Sequence, residues 1–172
     1  MNIFLIGYRA TGKSTVARKI AATLGLNCVD SDVLIVQDAG MTIAEIFAAE
    51  TEAGFRERES EVVARIALGD NQVVALGGGA VLCSENRAAI RNQGMVVWLQ
   101  ASVESVCERL TADSQTQSQR PQLTTHDLHD EVSELMERRR DIYADVADFA
   151  VDTDSLDAAE VAGEIIATLS AS

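Results

Sequence analysis

An eight-residue loop, Gly7-Tyr8-Arg9-Ala10-Thr11-Gly12-Lys13-Ser14, constrains this chain more than any other stretch. It follows the apolar run 3–6 and precedes a helical pattern that begins near Lys13, which gives the order strand, glycine-bounded loop, helix. Backbone N–H groups of such a loop and the positive end of the helix dipole together surround a polyphosphate. Lys13 supplies a point charge for the terminal phosphates, and the Ser14 hydroxyl suits Mg²⁺. The motif therefore predicts a nucleotide phosphate site over residues 7–15.

Composition narrows the classes of partner. The chain has 172 residues and is 47 % hydrophobic, which suits a single folded domain spanning residues 1–172. Its net charge of −13 would repel nucleic acid and an anionic membrane surface, so neither is an expected partner. No apolar run reaches the ~18 residues that a membrane span needs. We therefore expect a small partner, whose phosphates meet local cations within an acidic protein.

The three cysteines, Cys28, Cys83 and Cys107, lie in or beside apolar stretches. Their odd number and their lack of metal-ligand spacing predict reduced, mostly buried thiols and no zinc site. The N-terminus runs directly into an apolar strand without a basic leader. Together these features predict a cytoplasmic protein.

Short apolar runs alternate with helical patterns along most of the chain. Strands are predicted at about 2–6, 26–29, 73–76, 95–99 and 149–151, and helices at about 13–24, 42–49, 52–68, 84–93, 102–111, 130–143 and 157–169. This alternation predicts an α/β fold of three layers, in which helices cover both faces of a central parallel sheet. The carboxyl ends of the strands then share one edge of the sheet, where ligands of such folds bind.

The segment 112–125 differs from the rest of the chain, because it is polar, rich in Gln and Ser, and contains the only proline, Pro121. A loop of this length in a small domain is usually functional, so we expect a mobile lid. An arginine such as Arg120 could swing over transferring phosphates as the lid closes. The alternative is an ordinary loop cation. The nearby His126 and His129 are predicted to be solvated.

Acidic residues and glycines follow two of the predicted strands. Asp30 and Asp32 flank a serine at the end of the second strand, and side chains two apart on an extended segment point the same way. The strand at 73–76 ends in Gly77-Gly78-Gly79, not in the aspartate that many P-loop enzymes use for Mg²⁺. Asp30 is therefore the predicted acidic partner of the metal, and Asp32 is left to meet a substrate hydroxyl. The three glycines are costly at a strand end and suit a ligand that lies against the backbone. The alternatives are a helix N-cap for Asp32 and a plain turn for the glycines.

Arginines are candidates for binding a carboxylate in this acidic chain, because a planar guanidinium suits bidentate recognition. Arg56 and Arg139 stand out, but Arg58, Arg138 and Arg140 lie close by, and spacing does not choose among them. Taken singly, each is more readily explained as a solvated or salt-bridged helix residue.

Together these features resemble the shikimate kinase family, and within it the type II enzymes. The matching segments are 7–14, 30–32, 53–59, 77–79, 120–123 and 137–143, in the family's order and approximate spacing over nearly the whole chain. The resemblance implies a P-loop NTPase fold of the nucleoside-monophosphate-kinase type, with a substrate-binding helical segment at about 32–60. It also implies Mg²⁺-dependent transfer of the ATP γ-phosphoryl group to the 3-hydroxyl of shikimate, a step of aromatic amino-acid biosynthesis.

The resemblance assigns roles residue by residue. Residues that bind ATP would be Ala10, Thr11, Gly12, Lys13, Ser14, Thr15, Arg109 and Arg120, with Arg109 against the adenine. Residues that bind shikimate would be Asp32, Arg56, Gly77, Gly78, Gly79 and Arg139. The catalytic residues would be Lys13, Asp32 and Arg120, and the Mg²⁺ ligands Ser14 and Asp30. Arg139 is selected from its run because it stands four residues before Tyr143. We expect a monomer whose ligands are ATP, ADP and shikimate.

Two positions depart from the family pattern. Ala10 replaces a glycine that many members carry in the loop, and Thr51 precedes Glu52 where the family often has Gly-Glu. The second departure predicts an altered start of the substrate-binding helix.

Two rival functions fit parts of the same pattern. One is a kinase of another small molecule on the same fold, such as gluconate or a nucleoside monophosphate. The other is a nucleotide-binding regulator without activity, which the presence of Lys13, Ser14, both aspartates and Arg120 disfavours.

Overall fold

The computed structural model describes residues 1–112 and 127–171. The described strands are β1 (Asn2–Ile6), β2 (Asn27–Asp30), β3 (Gln72–Ala75), β4 (Gly94–Gln100) and β5 (Phe149–Asp152). The described helices are α1 (Lys13–Leu24), α2 (Ser31–Ala39), α3 (Ile43–Ala67), α4 (Ser84–Arg91), α5 (Val103–Ala112), α6 (Leu128–Val146) and α7 (Ala158–Ala171), with a short 3₁₀ helix at Ala80–Leu82.

The five strands form one parallel sheet in the order β2-β3-β1-β4-β5. Strand β1 lies at its centre and is buried on both faces, as its continuous apolar sequence requires. Phe4 and Ile6 enter a core shared with α3, α4 and α6, whereas Ile3 and Leu5 enter a core shared with α1 and α7. The predicted three-layer α/β fold is therefore confirmed.

Helix α2 was not predicted from the sequence. Its first turn is capped by Asp30, whose Oδ1 accepts hydrogen bonds from the backbone N–H groups of Asp32, at 3.0 Å, and Val33, at 3.4 Å. The run Val33–Val36 is continuously apolar and rich in β-branched residues, which is more typical of a strand. The expectation that Asp30 and Asp32 share an extended segment is therefore wrong: Asp30 is the N-cap, and Asp32 lies in the first helical turn.

Helix α3 is broken at Thr51. This agrees with the prediction of two separate helices on either side of this position. Thr51 has φ 67° and ψ 179°, a conformation that is essentially reserved for glycine. Across the break, Glu50 accepts two hydrogen bonds from the Arg58 guanidinium, both at 2.7 Å. Thr51 stands where the family often has glycine. This departure from the family pattern thus places backbone strain at the start of the half-helix that carries Arg56.

Thr51→Gly is expected to raise the free energy of unfolding by about 1 kcal/mol and the melting temperature by about 2–4 °C. Relief of ~1–3 kcal/mol of backbone strain exceeds the ~1 kcal/mol of chain entropy that a glycine costs. Thermal unfolding followed by circular dichroism measures the change. Ala53→Gly, at a regular helical position two residues later, is the control and should lower the melting temperature. A fall with Thr51→Gly would contradict the assignment of strain.

Several smaller expectations are settled by the structure. The cysteines are free thiols, as predicted, but Cys28 is exposed and Cys83 and Cys107 are only partly buried. They are therefore less buried than expected, because Cys28 lies on β2 at an edge of the sheet, Cys83 immediately precedes α4, and Cys107 lies on the surface helix α5. No helix in the described part of the chain has the length and apolar character needed to cross a bilayer.

The expected lid lies almost entirely outside the described residues. Its first residue, 112, ends α5, and residues 113–125, which include Arg120, lie outside the described residues.

Candidate active site

The loop between β1 and α1 adopts the conformation that a phosphate-binding loop needs. Gly12 has φ 89° and provides the N-cap of α1, a left-handed position that favours glycine. Ala10 has φ 60°, so the loop requires the left-handed region at the position where the family pattern has glycine. The Lys13 ammonium group donates to the carbonyl oxygens of Gly7, at 2.9 Å, and Tyr8, at 2.7 Å. The ammonium group is thereby held against the loop at the start of α1.

Ser14 and Asp30 meet at the base of this loop. The Ser14 hydroxyl donates to Asp30 Oδ2 at 2.5 Å, while Asp30 Oδ1 caps α2. The hydroxyl oxygen of Ser14 on α1 and a carboxylate oxygen of Asp30 at the end of β2 thus lie together next to the loop, as the sequence predicted. A hydroxyl and one carboxylate suit Mg²⁺, which usually keeps several waters and takes only one or two carboxylates from the protein.

A cavity of about 620 Å³ opens at the carboxyl edge of the sheet and joins the predicted nucleotide and acceptor regions. Its wall includes Lys13 and Ser14 on one side, and Asp32 and the backbone of Gly77 on another. Residues from β1–α1, β2–α2 and the end of β3 therefore converge on one space. This is the arrangement that the common edge of parallel strands predicts.

The glycine segment after β3 lies directly against charged side chains of the site. A Cβ atom added to Gly77 would stand 2.7 Å from Asp32 Oδ1 and 2.8 Å from Glu59 Oε1. A Cβ atom added to Gly79 would stand 2.2 Å from Arg56 Nη1. Glycine is therefore needed at these positions so that Asp32, Glu59 and Arg56 can approach the backbone closely. Neither sequence-based hypothesis, a ligand against the backbone or a plain turn, included this reason.

Gly79→Ala is expected to raise the KM for the acceptor about tenfold, because the new methyl group displaces the Arg56 guanidinium. The KM for the nucleotide should change less than about twofold. Gly163→Ala on α7, where a Cβ atom meets nothing within 4 Å, is the matched control. Steady-state kinetics with each ligand varied in turn measure both constants. An unchanged acceptor KM would remove Arg56 from the acceptor site.

Arg56 is held by a buried glutamate that the sequence analysis did not single out. Its Nη1 donates to Glu59 Oε2 at 2.6 Å, and Glu59 is only 1 % exposed. Its Nη2 lies 3.5 Å from Oε1 of the exposed Glu52. By contrast, Arg58 pairs with Glu50 across the kink in α3. The buried ion pair therefore distinguishes Arg56 from Arg58, a choice that spacing left open.

Arg139 is the inward member of the arginine run on α6. Arg138 pairs with Glu134 and Arg140 with Glu137, both at the surface. The Arg139 guanidinium instead lies 5.7 Å from the centre of the Tyr8 ring, and its Nη1 lies 3.7 Å from the position of a Cβ atom on Gly78. Arg139 and Arg56 thus flank the glycine segment that borders the cavity.

Tyr143 and Ser31 fix this glycine segment and were not identified as site residues from the sequence. The buried Tyr143 hydroxyl donates to Gly78 O at 2.6 Å, and burial raises the pKa of Tyr143 against the opposing effect of the Arg139 charge. The Ser31 hydroxyl, fully buried, accepts the N–H of Gly77 at 2.9 Å. The only sequence signal for Ser31 was its position between two aspartates, and Tyr143 served only to align Arg139.

Arg109 bridges the phosphate loop and the segment after β5. Its Nη1 donates to Ala10 O at 3.2 Å and to the Thr153 hydroxyl at 3.1 Å, and its Nη2 donates to Thr153 O at 2.9 Å. The guanidinium is therefore fixed at the outer side of the loop. Arg120, the predicted lid arginine, lies outside the described residues.

Comparisons with known proteins identify the family. A family model described as shikimate kinase matches residues 9–170. The chain is 47 % identical to a shikimate kinase of Symbiobacterium thermophilum over 169 residues, which cover 98 % of this chain and 96 % of the relative. A shikimate kinase of Rhodopirellula baltica is 41 % identical over 165 residues, covering 96 % and 88 %. The solved structure of shikimate kinase from Acinetobacter baumannii in complex with shikimate superposes with a TM-score of 0.92 at 33 % identity, covering 99 % of this chain and 93 % of that one. The resemblance inferred from the sequence is confirmed: the chain belongs to the shikimate kinase family, and it is a kinase.

Proposed function

We propose that the protein transfers the γ-phosphoryl group of ATP to the 3-hydroxyl of shikimate, giving shikimate 3-phosphate and ADP. The observation that carries this proposal is the cavity that joins the Lys13 loop to Asp32, bordered by a glycine segment with an arginine on either side. Family membership supports the choice of substrate, since the curated relatives are named shikimate kinases.

The donor occupies the loop side of the cavity. Backbone N–H groups of residues 10–15 surround the phosphates, and the Lys13 ammonium group neutralises charge on them. Arg109 lies at the outer side of the loop, where it stacks against the adenine. Arg120 is assigned to the transferring phosphate by its position in the family pattern alone.

Ser14 and Asp30 would hold Mg²⁺, because their oxygens meet beside the phosphate loop. When bound, the ion offsets negative charge on the phosphates of the donor. Asp30 is oriented for this by its cap contacts to the backbone of α2, which occupy only its other carboxylate oxygen. The protein thus contributes a fixed pair of oxygen ligands.

The acceptor occupies the other side of the cavity. Arg56 and Arg139 bind its carboxylate, and this selects an acidic, ring-shaped alcohol over water and neutral alcohols. Asp32 then faces the hydroxyl that reacts, and orients it or accepts its proton. Phosphoryl transfer depends mainly on positioning and charge neutralisation, so these contacts account for most of what the protein must supply.

The decisive experiment is an ADP-release assay with and without Mg²⁺. We expect turnover with shikimate and little above background with gluconate, a nucleoside monophosphate or no acceptor. Phosphorus NMR of the product should show a phosphate ester at the 3-position. Turnover that shikimate does not stimulate would reject the proposal, and turnover with another acceptor would identify the rival kinase.

We further propose that the protein acts as a monomer in the cytoplasm. Its free cysteines suit a reducing compartment, and its net charge of −13 opposes self-association. Light scattering coupled to size-exclusion chromatography measures the mass in solution, and a mass of about twice 18.4 kDa would contradict the monomer.

A further inference from the structure

Glu131 on α6 is a buried charge that the reaction described above does not use. Its side chain is 1 % exposed, and its Oε1 lies 3.4 Å from Nη2 of Arg9. Its Oε2 is buried and has no hydrogen-bond partner among the residues that the structure describes. A buried carboxylate with one unsatisfied oxygen is costly, so its presence at this position calls for an explanation.

Arg9, the partner of Glu131, lies in the phosphate loop and lines the cavity. Its side chain is 18 % exposed, and its guanidinium lies 5.8 Å from the centre of the Tyr8 ring. Arg139 lies 5.7 Å from the centre of the same ring. Two arginines therefore lie near the Tyr8 ring. Arg9 belongs to the loop that binds the donor, and Arg139 belongs to the helix assigned to the acceptor.

Helix α6 contacts the phosphate loop through two charged side chains, Glu131 and Arg139, eight residues apart. An arginine side chain has several rotatable bonds, and the ring of Tyr8 alone restricts it only weakly. The buried carboxylate supplies the missing restraint, because Glu131 is itself only 1 % exposed and adjoins Val132, which packs in the cluster between α5 and α6. The position of Arg9 at the cavity wall thus depends on Glu131.

We propose that Glu131 is a positioning residue of the acceptor pocket: its buried carboxylate fixes the Arg9 guanidinium at the cavity wall, near the Tyr8 ring that Arg139 also approaches, so that an anionic acceptor meets Arg9 in a fixed position. The inference rests on the proposed function, in which the acceptor carries a carboxylate. It assigns Glu131 no contact with either ligand. Loss of the carboxylate should therefore change acceptor binding through Arg9 and leave the donor site intact.

The test replaces Glu131 by methionine, which keeps the length of the side chain and removes both oxygens. We expect the KM for shikimate to rise roughly 5- to 10-fold, with kcat and the KM for ATP within about twofold of wild type. Glu131→Gln, which keeps one acceptor for Arg9, should give an intermediate shikimate KM. The melting temperature of both variants should not fall, since a half-satisfied buried charge has been removed. Glu137→Gln, at an exposed position of the same helix, is the matched control.

A double-mutant cycle tests whether Glu131 acts through Arg9. Arg9→Gln keeps a donor for Glu131, so this variant is expected to fold. In the Arg9→Gln background, Glu131→Met should change the shikimate KM less than about twofold. The same increase in both backgrounds would overturn the inference, as would an unchanged KM in the single variant. Equal losses in kcat and both KM values, with a lower melting temperature, would show a structural role only and would also overturn it.

The same measurements separate this inference from the proposed function. Wild-type protein that releases no ADP in response to shikimate would contradict the function itself. Normal wild-type turnover combined with an unaltered Glu131→Met variant would contradict only the role of Glu131.

Discussion

Replacing Asp32 by asparagine is expected to lower kcat at least ~10²-fold while the KM for ATP stays within about twofold. Asp32 lines the cavity with Lys13, and its Oδ1 lies close to the α-carbon of Gly77. Asparagine keeps the shape of the side chain and removes the charge that orients the acceptor hydroxyl or takes its proton. The backbone N–H of Asp32 still donates to Asp30, so the metal side of the site should be preserved.

Asp38→Asn is the matched control for this prediction. Asp38 lies on the same helix, α2, and its carboxylate pairs at the surface with Arg65, at 2.6 Å. The control should keep kcat within about twofold of wild type, because an exposed ion pair contributes little. Steady-state kinetics at varied ATP concentrations measure both kcat and the KM for ATP. If Asp32→Asn turned over at a near-normal rate, Asp32 would have no direct role in the chemistry.

The donor half of the site was predictable because its chemistry is local. A loop bounded by glycines, with a lysine and a serine at the start of a helix, needs no distant residue to form a phosphate site. The left-handed conformations of Ala10 and Gly12 agree with this. The alternation of apolar strands and helices likewise predicted the parallel sheet, because each strand must be covered on both faces.

The acceptor half was less predictable because it depends on contacts between distant segments. Glu59 is recognisable as a site residue only because it is buried and lies against Arg56 and Gly77. Neither its burial nor these contacts can be read from the sequence. The hydroxyl of Ser31 reaches Gly77 across 46 positions of the chain. Arg139 was selected through the family pattern, by its position four residues before Tyr143, and the structure supplies the physical reason in the Tyr8 ring.

Helix α2 was missed because its local signals conflict. The apolar run Val33–Val36 favours a strand, whereas the aspartate before it favours a helix cap. Tertiary packing decides the outcome, since Ile35 enters the core beside α3. The N-cap alternative was raised for Asp32 but applies to Asp30. Both aspartates nevertheless line the cavity, because the first turn of α2 directs them there.

Arg9→Met is expected to lower the free energy of unfolding by about 3 kcal/mol, which corresponds to roughly 6–12 °C in melting temperature. The loss arises because Glu131, 1 % exposed, would be left buried without its cation. The reverse change, Glu131→Met, should not lower the stability, since Arg9 is 18 % exposed and can reach water when Glu131 is replaced. The two members of one ion pair should therefore differ in their effect on stability.

The Arg9→Met/Glu131→Met double variant should recover stability to within about 1 kcal/mol of wild type, since neither charge is then left alone. Arg138→Met, which breaks an exposed pair with Glu134 on the same helix, is the control and should change stability by less than about 0.5 kcal/mol. Urea unfolding at constant pH measures all four variants. A double variant as unstable as Arg9→Met would mean that the loop itself needs Arg9, whereas its recovery would trace the loss to the buried carboxylate.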